Sequence, residues 1–482
     1  MRKKLFRDIS ANTGQVLLNQ VSGVFIFLIT SRYLSKDVYG EMNWSLALLT
    51  FITTLLSLRL EQIVVRKVAA GDNASKMLTL FLGHTVFFGL LFYLVLLAGS
   101  FLIPSFFAKH SLLLVLAVSH LLSFFSSPFK QLANGKENFR MLALLSVASN
   151  LIRSIWLVWV VAYSTLSIQQ LLLIYIISSL AELVLSVWLV QSRLHIHISS
   201  QWKMEEYFLL IRQSLPQIGS VFLNACIARV DWILLGLFAT AAKTAEYSFA
   251  YKIFELSPIP LLIIGPVLLS RFSKYFSTNS EGSLGKQYPE IGFLIRIELV
   301  LATLLPLILN IIWVPLIDFL TEHKYGAVNK TTFLLLSCCI PFQYMINLCW
   351  TLHFAQDHLK LIFRITAITC LVIITGDLIM IPLANARGAA LVYLLAMGTE
   401  YFFYLQYATL PDIKKSWGPM TICMSGALVC GFATQYIQVG VISQLILSVT
   451  IYILFLLFTK QVRRSDFSIL KQWISHQETI TN

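Results

Sequence analysis

Residues 213–255 read QSLPQIGSVFLNACIARVDWILLGLFATAAKTAEYSFAYKIFE, an apolar stretch that carries charged side chains. The charges are Arg229, Asp231, Lys252 and Glu255. A charge at the centre of a membrane-spanning helix costs about 2.5–3.5 kcal/mol on insertion scales. A chain that keeps several charges there is expected to use them inside the membrane.

The composition fixes the class of protein. Of 482 residues, 57% are hydrophobic and only 12% are charged, whereas soluble domains carry about 25% charged residues. The sequence therefore predicts an all-α polytopic membrane protein. The net charge of +13 follows the pattern of topology signals rather than a basic stripe with interleaved aromatics, so no nucleic-acid partner is expected.

A spanning helix needs about 20 mostly apolar residues, and the chain holds about fourteen such segments. They are residues 11–33, 42–58, 77–103, 111–128, 141–163, 168–191, 213–238, 244–270, 292–320, 331–354, 361–382, 388–410, 418–436 and 441–459. The loops are too short for a soluble domain. Two connections, RLEQIVVRKVAAGD at 59–72 and SRFSKYFSTNSEG at 270–282, mix bases with apolar residues and are typical of interfacial amphipathic helices.

Orientation follows from the placement of Lys and Arg. If the N-terminus is cytoplasmic, 24 of the 36 bases fall in cytoplasmic segments, 7 in outside loops and 5 within spans. This bias predicts a multi-pass protein of the bacterial plasma (inner) membrane with both termini in the cytoplasm.

An internal repeat relates the two halves. NTGQVLLN at 12–19 aligns with QIGSVFLN at 217–224 with four identities, and the same offset of 205 residues maps Arg66 onto Arg271. Six spans per repeat gives both halves the same orientation, as in transporters with parallel repeats. The predicted organisation is a six-helix lobe at 1–191, a cytoplasmic connection at 192–212, a second six-helix lobe at 213–410, and two additional helices with a cytoplasmic tail at 411–482.

Polar residues recur at helical spacing in both repeats. Span 1 places Gln15 and Asn19 on one face, and span 7 does the same with Gln217 and Asn224. Lipid offers such groups no partner, so each face must meet protein or water. Interhelical hydrogen bonds that only hold the bundle together explain the amides as well as a polar cavity does.

The charges of spans 7 and 8 fall at one predicted depth, in the outer half of the membrane. We expect Asp231 to neutralise Arg229 or Lys252, and Glu255, three residues after Lys252, is the alternative partner for that lysine. One interpretation is a cationic cavity for an anionic head group, because an arginine fork binds phosphate in a bidentate manner. The other is a closed network of structural ion pairs.

The remaining buried charges are less distinctive. Arg153 in span 5 and Glu182 in span 6 lie near mid-depth and could form a corresponding pair in the first half. Arg296 and Arg364 lie near the cytoplasmic face, where their side chains can reach water. The isolated histidines of the spans are weaker candidates for proton relay: His84, His120 and His353.

Catalytic signals are absent from the sequence. It holds no DxD, HExxH, Walker A or glycine-rich phosphate loop, and the outside loops are too short for a glycosyl-transfer site. We therefore expect a transporter rather than an enzyme, with no cofactor beyond a coupling ion of unknown identity.

Several stretches carry a family resemblance: SRYLSKDVYGEMNWSLALL after span 1, SLPQIGSVFLN, ARVDWILLG and AEYSFAYKIFE. The chain resembles the lipid-linked oligosaccharide flippases of bacterial O-antigen and capsule synthesis, within the multidrug/oligosaccharidyl-lipid/polysaccharide exporter superfamily. The resemblance implies two six-helix lobes around a central cavity and alternating access. Its implied substrate is an undecaprenyl-diphosphate-linked sugar, and its implied partners are membrane lipids and other membrane proteins of polysaccharide assembly.

The resemblance also implies site residues. Arg229, Asp231 and Lys252 fall at the family's charged positions of spans 7 and 8, whereas Arg32 and Arg153 are both candidates for the first lobe. Because the polar face of span 1 is uncharged, we expect the second lobe to hold the anion and the first to supply hydrogen bonds and the moving wall.

Two other functions compete with the flippase. A cation-coupled multidrug exporter of the same fold would place acids at the cavity centre, and the first six spans hold only Glu182 as a deep acid. A polysaccharide polymerase or ligase would carry a large outside loop.

Overall fold

The computed structural model describes residues 2–199, 202–261, 289–437 and 439–463, together with residues 265, 268, 269 and 272. Every regular element in these residues is helical, which confirms the predicted all-α fold. The chain divides into two compact units, Met1–Ser248 and Phe249–Asn482. The first unit thus includes predicted span 7, and the six-helix lobes predicted from the repeat stay a prediction.

Helices of the first unit run along most of its length. They are α1 (Arg2–Tyr33), α2 (Lys36–Leu56), α3 (Leu60–Ala69), α4 (Ala74–Leu102), α5 (Pro104–Lys109), α6 (Leu112–Gly135), α7 (Phe139–Tyr163), α8 (Ile168–Arg193) and α9 (Met204–Phe238). Helix α10 (Ala241–Phe254) starts in the first unit and ends in the second.

The described helices of the second unit follow the gap before residue 289. They are α11 (Pro289–Thr321), α12 (Gly326–Ser337), α13 (Ile340–Ala355), α14 (Leu359–Tyr407), α15 (Pro411–Lys414), α16 (Trp417–Gln435) and α17 (Val441–Phe458).

Side-chain caps fix several helix starts. The side chains of Ser35, Asn73 and Asn138 each accept a hydrogen bond from a backbone N–H in the first turn of α2, α4 and α7. Ser167 and Gln170 form a complete capping box at α8. Each cap satisfies a backbone N–H that has no partner within its helix, which matters most where water is scarce.

Helix α3 is amphipathic as predicted, but its apolar face packs on protein. Leu60, Ile63, Val64 and Val68 are buried in a core that they share with residues of α4, α6, α8 and α9. The bend of 51° between α2 and α3 passes through Arg59 in the left-handed region, at φ 60°. The expectation of a lipid-facing interfacial helix is therefore wrong at 59–72. The second such segment, 270–282, lies almost entirely outside the described residues.

Three predicted spans have different helix boundaries. Span 4 does not end at Pro128, because α6 continues to Gly135. Span 8 is interrupted, since α10 ends at Phe254 and residues 255–258 form a turn before Pro260. The Tyr344 hydroxyl donates to the exposed carbonyl of Ser257 at 3.0 Å. Span 10 divides into α12 and α13, with Pro341 in the first turn of α13.

Spans 11 and 12 form a single helix, α14, of 49 residues. A straight helix of this length would measure about 74 Å, whereas a bilayer with its head groups is about 40–45 Å thick. Asn385 leaves helical geometry at φ 49° and ψ −129°. The chain therefore turns at Asn385, and α14 supplies both predicted spans without a loop.

In the described part of the chain, ten helices are long and apolar enough to cross a membrane, or eleven if the bent pair α2–α3 counts as one span. This count treats α14 as one helix and leaves out α1 and α10. A multi-pass membrane protein is confirmed, and the number of fourteen spans stays a prediction.

Candidate functional site

A charged cluster lies among α6, α7 and α8 of the first unit. Glu182 on α8 is 1% exposed and forms an ion pair with Lys130 on α6. The Ser126 hydroxyl donates to the same carboxylate at 2.6 Å. Glu182 is therefore neutralised by Lys130, and the expected ion pair with Arg153 is wrong. The reason is that α6 continues beyond Pro128 and carries Lys130 along the same helix.

Arg153 on α7 makes different contacts. Its Nη2 donates to the Ser179 hydroxyl at 2.7 Å, and its guanidinium lies 4.5 Å from the ring centroid of Tyr175. Among the described residues no carboxylate is within ion-pair distance of Arg153, although Glu182 acts on it electrostatically. The half-buried guanidinium is thus held by a hydroxyl and an aromatic ring, and its charge is not cancelled by a direct partner.

Neutral polar groups surround this cluster. His120 Nε2 lies 2.9 Å from the Thr53 hydroxyl, and Asn150 on α7 donates to Asn19 on α1 at 3.2 Å. Asn19 therefore meets protein, as interhelical bonding requires. The side chain of Gln15 lies outside the described residues. We name Lys130, Glu182 and Arg153, with the hydroxyls of Ser126 and Ser179, the first-unit polar cluster.

The charges of α9 also lie in the first unit. Asp231 is 1% exposed, and it accepts hydrogen bonds from the Trp232 backbone N–H at 2.8 Å and from the Tyr247 hydroxyl. The Arg229 guanidinium lies 5.3 Å from the Trp232 ring. Neutralisation of Asp231 by Arg229 or Lys252 stays a prediction.

The amides of α9 differ in exposure. Asn224 is exposed and donates to the carbonyl of Ser220 on its own helix at 2.7 Å, whereas Gln217 is half-buried. In the second unit, Lys252 pairs with Glu255 at 2.7 Å. The alternative partner expected for this lysine is thus confirmed. Arg32, half-buried at the end of α1, lies 5.9 Å from the ring of Tyr33.

A second feature of the first unit is the close contact of α2 with α9. Trp44 is 2% exposed and donates from Nε1 to the carbonyl of Ile233 at 3.1 Å. Its indole lies against Gly236, where any Cβ would overlap the ring. Gly40 on α2 likewise leaves no room for a Cβ beside the carbonyl of Ala241. We name this packing the Trp44 contact.

Polar bonds surround the Trp44 contact. Glu246 accepts from Lys36 at 3.4 Å and from Lys243 at 2.7 Å. Lys109 donates to the carbonyl of Gly236 at 3.3 Å. His110 stacks on Trp44 with ring centroids 3.8 Å apart. On the predicted orientation these residues lie at the outer side of the membrane.

Sequence reasoning missed Lys130, Trp44 and His110. Lys130 falls two residues past the predicted end of its span. Trp44 is an aromatic residue in an apolar span, which is no signal by itself. The glycines at 40 and 236 were the available signal, since a helix glycine indicates close approach of a neighbour.

The fold and the polar cluster together define a multi-pass membrane protein with charged groups among its spanning helices, the architecture of a transporter. Residues 5–276 match the family described as polysaccharide biosynthesis protein. The chain belongs to this family. The sequence matches no curated protein at a significant level.

Solved structures share the fold at low sequence identity. The inward closed conformation of the lipid II flippase MurJ has a TM-score of 0.73 at 14% identity, covering 93% of this chain and 98% of that one. An inward-facing multidrug resistance MATE transporter of the MOP superfamily has a TM-score of 0.65 at 13% identity, covering 83% and 95%. The Vibrio cholerae MATE transporter VcmN in the bent form scores 0.53 at 13% identity, covering 86% and 98%. The exporter-superfamily fold expected from the sequence is confirmed.

Proposed function

We propose that this protein is a flippase that carries undecaprenyl-diphosphate-linked oligosaccharide repeat units from the cytoplasmic to the outer leaflet, for the synthesis of O-antigen or capsule. The observation that carries the proposal is Arg153. It is a guanidinium within a spanning helix that has no carboxylate at ion-pair distance among the described residues. An arginine in this setting suits an anion such as a diphosphate, which its fork binds in a bidentate manner.

The first-unit polar cluster supports a substrate with a large polar head. Hydroxyls of Ser126 and Ser179 already bind the charged groups of the cluster and can exchange partners with sugar hydroxyls. A diphosphate head group cannot cross hydrocarbon unaided, whereas its lipid tail can stay in the bilayer. This reading moves the expected anion contact to Arg153, because Lys252 is paired with Glu255.

The Trp44 contact supports a step of alternating access. It joins α2 to α9 through glycine-mediated packing and a few hydrogen bonds. We propose that this contact closes the outer side and that it opens when the substrate leaves. Because the bonds around Glu246 are partly exposed, each contributes little, about 0–1 kcal/mol, so the contact is suited to reversible opening.

The test replaces Arg153 in the full chain and measures translocation of a fluorescent lipid-linked oligosaccharide in proteoliposomes. Charge-assisted hydrogen bonds contribute about 1.5–3 kcal/mol, so Arg153→Ala should reduce translocation about tenfold or more. Arg153→Lys should retain part of it. Arg140→Ala, an exposed base at the start of the same helix, is the matched control. Unchanged translocation in Arg153→Ala would exclude this role.

A second test addresses the substrate in cells. Deletion of the gene should cause lipid-linked repeat units to accumulate on the cytoplasmic side. The double variant with alanine at positions 229 and 252, at wild-type abundance, should lose surface polysaccharide. Normal surface polysaccharide together with increased drug sensitivity would favour the multidrug exporter instead.

A further inference from the structure

A basic cavity lies in the second unit, where the start of α11, the short helix α15, the start of α16 and the end of α17 meet. Its volume is about 280 Å³. Its charged lining residues are Arg296, Asp412, Lys415, Lys460 and Arg463. Four bases and one acid therefore line one cavity, and we name it the basic cavity.

Direct ion pairs do not cancel the charge of the two lysines. Within the described residues, neither Lys415 nor Lys460 has a carboxylate at ion-pair distance, and Asp412 pairs with no base. The lining thus keeps an excess of positive charge. Like charges that converge in this way repel one another, and a bound anion relieves that repulsion.

The bases stand on well-fixed backbone. Lys460 occupies the left-handed region at φ 57°, in a turn held by the hydrogen bond from the Gln461 N–H to the Leu456 carbonyl at 2.9 Å. Lys415 follows α15, and its N–H donates to the Pro411 carbonyl at 3.1 Å. The next residue, Ser416, is buried and bonds the Tyr401 hydroxyl at 2.6 Å. Bases that serve only as topology signals need no such convergence from separate elements.

The depth of the basic cavity points to the membrane surface. Trp417 follows Ser416 directly, is 44% exposed and stacks on Tyr401 with ring centroids 5.6 Å apart. Tryptophans with one exposed side are enriched at the level of the lipid head groups. Basic pockets between helices at this level bind anionic head groups. On the predicted orientation this surface is the cytoplasmic one.

We propose that the basic cavity binds the phosphate of an anionic phospholipid from the adjoining leaflet. The bases would hold the phosphate, and Asp412 would accept a hydrogen bond from a head-group hydroxyl such as those of phosphatidylglycerol. The site is separate from the first-unit polar cluster, and it does not depend on the substrate proposed above.

The experiment uses the full-length protein, delipidated in detergent, and native mass spectrometry. Phosphatidylglycerol, phosphatidylcholine and inorganic phosphate are added separately. The test variant is the double substitution Lys415→Gln and Lys460→Gln. The matched control is Lys136→Gln with Arg140→Gln, two exposed bases of the first unit on the same predicted side. Melting temperatures within about 2 °C of the wild type show that the variants are folded.

Each base near a membrane surface contributes enough to give about fivefold in affinity for anionic lipid, so the double variant should bind phosphatidylglycerol about thirtyfold more weakly. The control variant should bind it like the wild type. Equal binding of phosphatidylcholine, or unchanged affinity in the double variant, would overturn the proposal. Binding of inorganic phosphate as tight as that of the lipid, and lost in the same variant, would assign the site to a soluble phosphate instead. A loss of lipid binding with intact translocation would separate this site from the proposed flippase activity.

Discussion

The indole of Trp44 occupies the space that a side chain on Gly236 would need. Trp44 is fixed there by its hydrogen bond to the Ile233 carbonyl. Helices α2 and α9 can approach this closely only because position 236 lacks a Cβ, so the packing depends on one glycine.

Gly236→Ala tests this dependence. In an ordinary helix the change would stabilise by up to about 1 kcal/mol. Here we expect a lower melting temperature and weaker cross-linking between cysteines placed on α2 and α9, because the added methyl pushes Trp44 away. Gly23→Ala is the control, since a Cβ at position 23 meets open space. Cross-linking equal to the wild type would contradict the packing argument.

Lys130→Ala should destabilise the first unit strongly. Removing one partner of a buried ion pair costs about 3–5 kcal/mol, because the other charge stays buried without compensation. The double variant Lys130→Gln with Glu182→Gln should recover much of that loss, since neither charge then remains. Thermal unfolding of the purified proteins in the same detergent measures both. Equal destabilisation in the single and double variants would show that the two residues act independently.

His110 should make the Trp44 contact sensitive to pH. It lies in the connection between α5 and α6, 4% exposed, and burial lowers its pKa from 6.5 to about 4, with a smaller contribution from Lys109. The packed state thus disfavours the proton, so packing is fully stable above about pH 6.5 and weakens as the pH falls towards 4.

The measurement for His110 is the yield of the same α2–α9 cross-link between pH 7.5 and 4.5. The yield should fall with acidification in the wild type. His110→Phe keeps an aromatic ring on Trp44 and should remove most of that pH dependence. A pH dependence that persists in His110→Phe would assign it to another group.

Glu298 on α11 is expected to be neutral in this conformation. It is 1% exposed, and neither carboxylate oxygen has a hydrogen-bond partner among the described residues. An ionised carboxylate so placed would cost several kcal/mol. Glu298→Gln should therefore unfold at the wild-type temperature or above. The control is Glu137→Gln, an exposed position. A loss of stability as large as that of Lys130→Ala would show that the charge is present and compensated.

Helix positions were predictable because apolar run length is a local property of the sequence. The chain ends of these runs were not. Pro128 suggested a stop, yet α6 passes through it, because neighbouring groups within a membrane protein can satisfy the freed carbonyl. That error hid Lys130, and with it the true partner of Glu182. By contrast, Lys252 and Glu255 are three residues apart on one chain, and their ion pair was predictable from spacing alone.

The continuous helix α14 has a mechanical consequence. The reversal at Asn385 uses no spare residues, so the segment before it cannot tilt or slide without carrying the segment after it. A displacement that begins near Leu359 must reach Tyr407 and the turn that precedes α15. Any rearrangement of the second unit therefore moves two membrane crossings as one lever, and an inserted residue near position 385 would uncouple them.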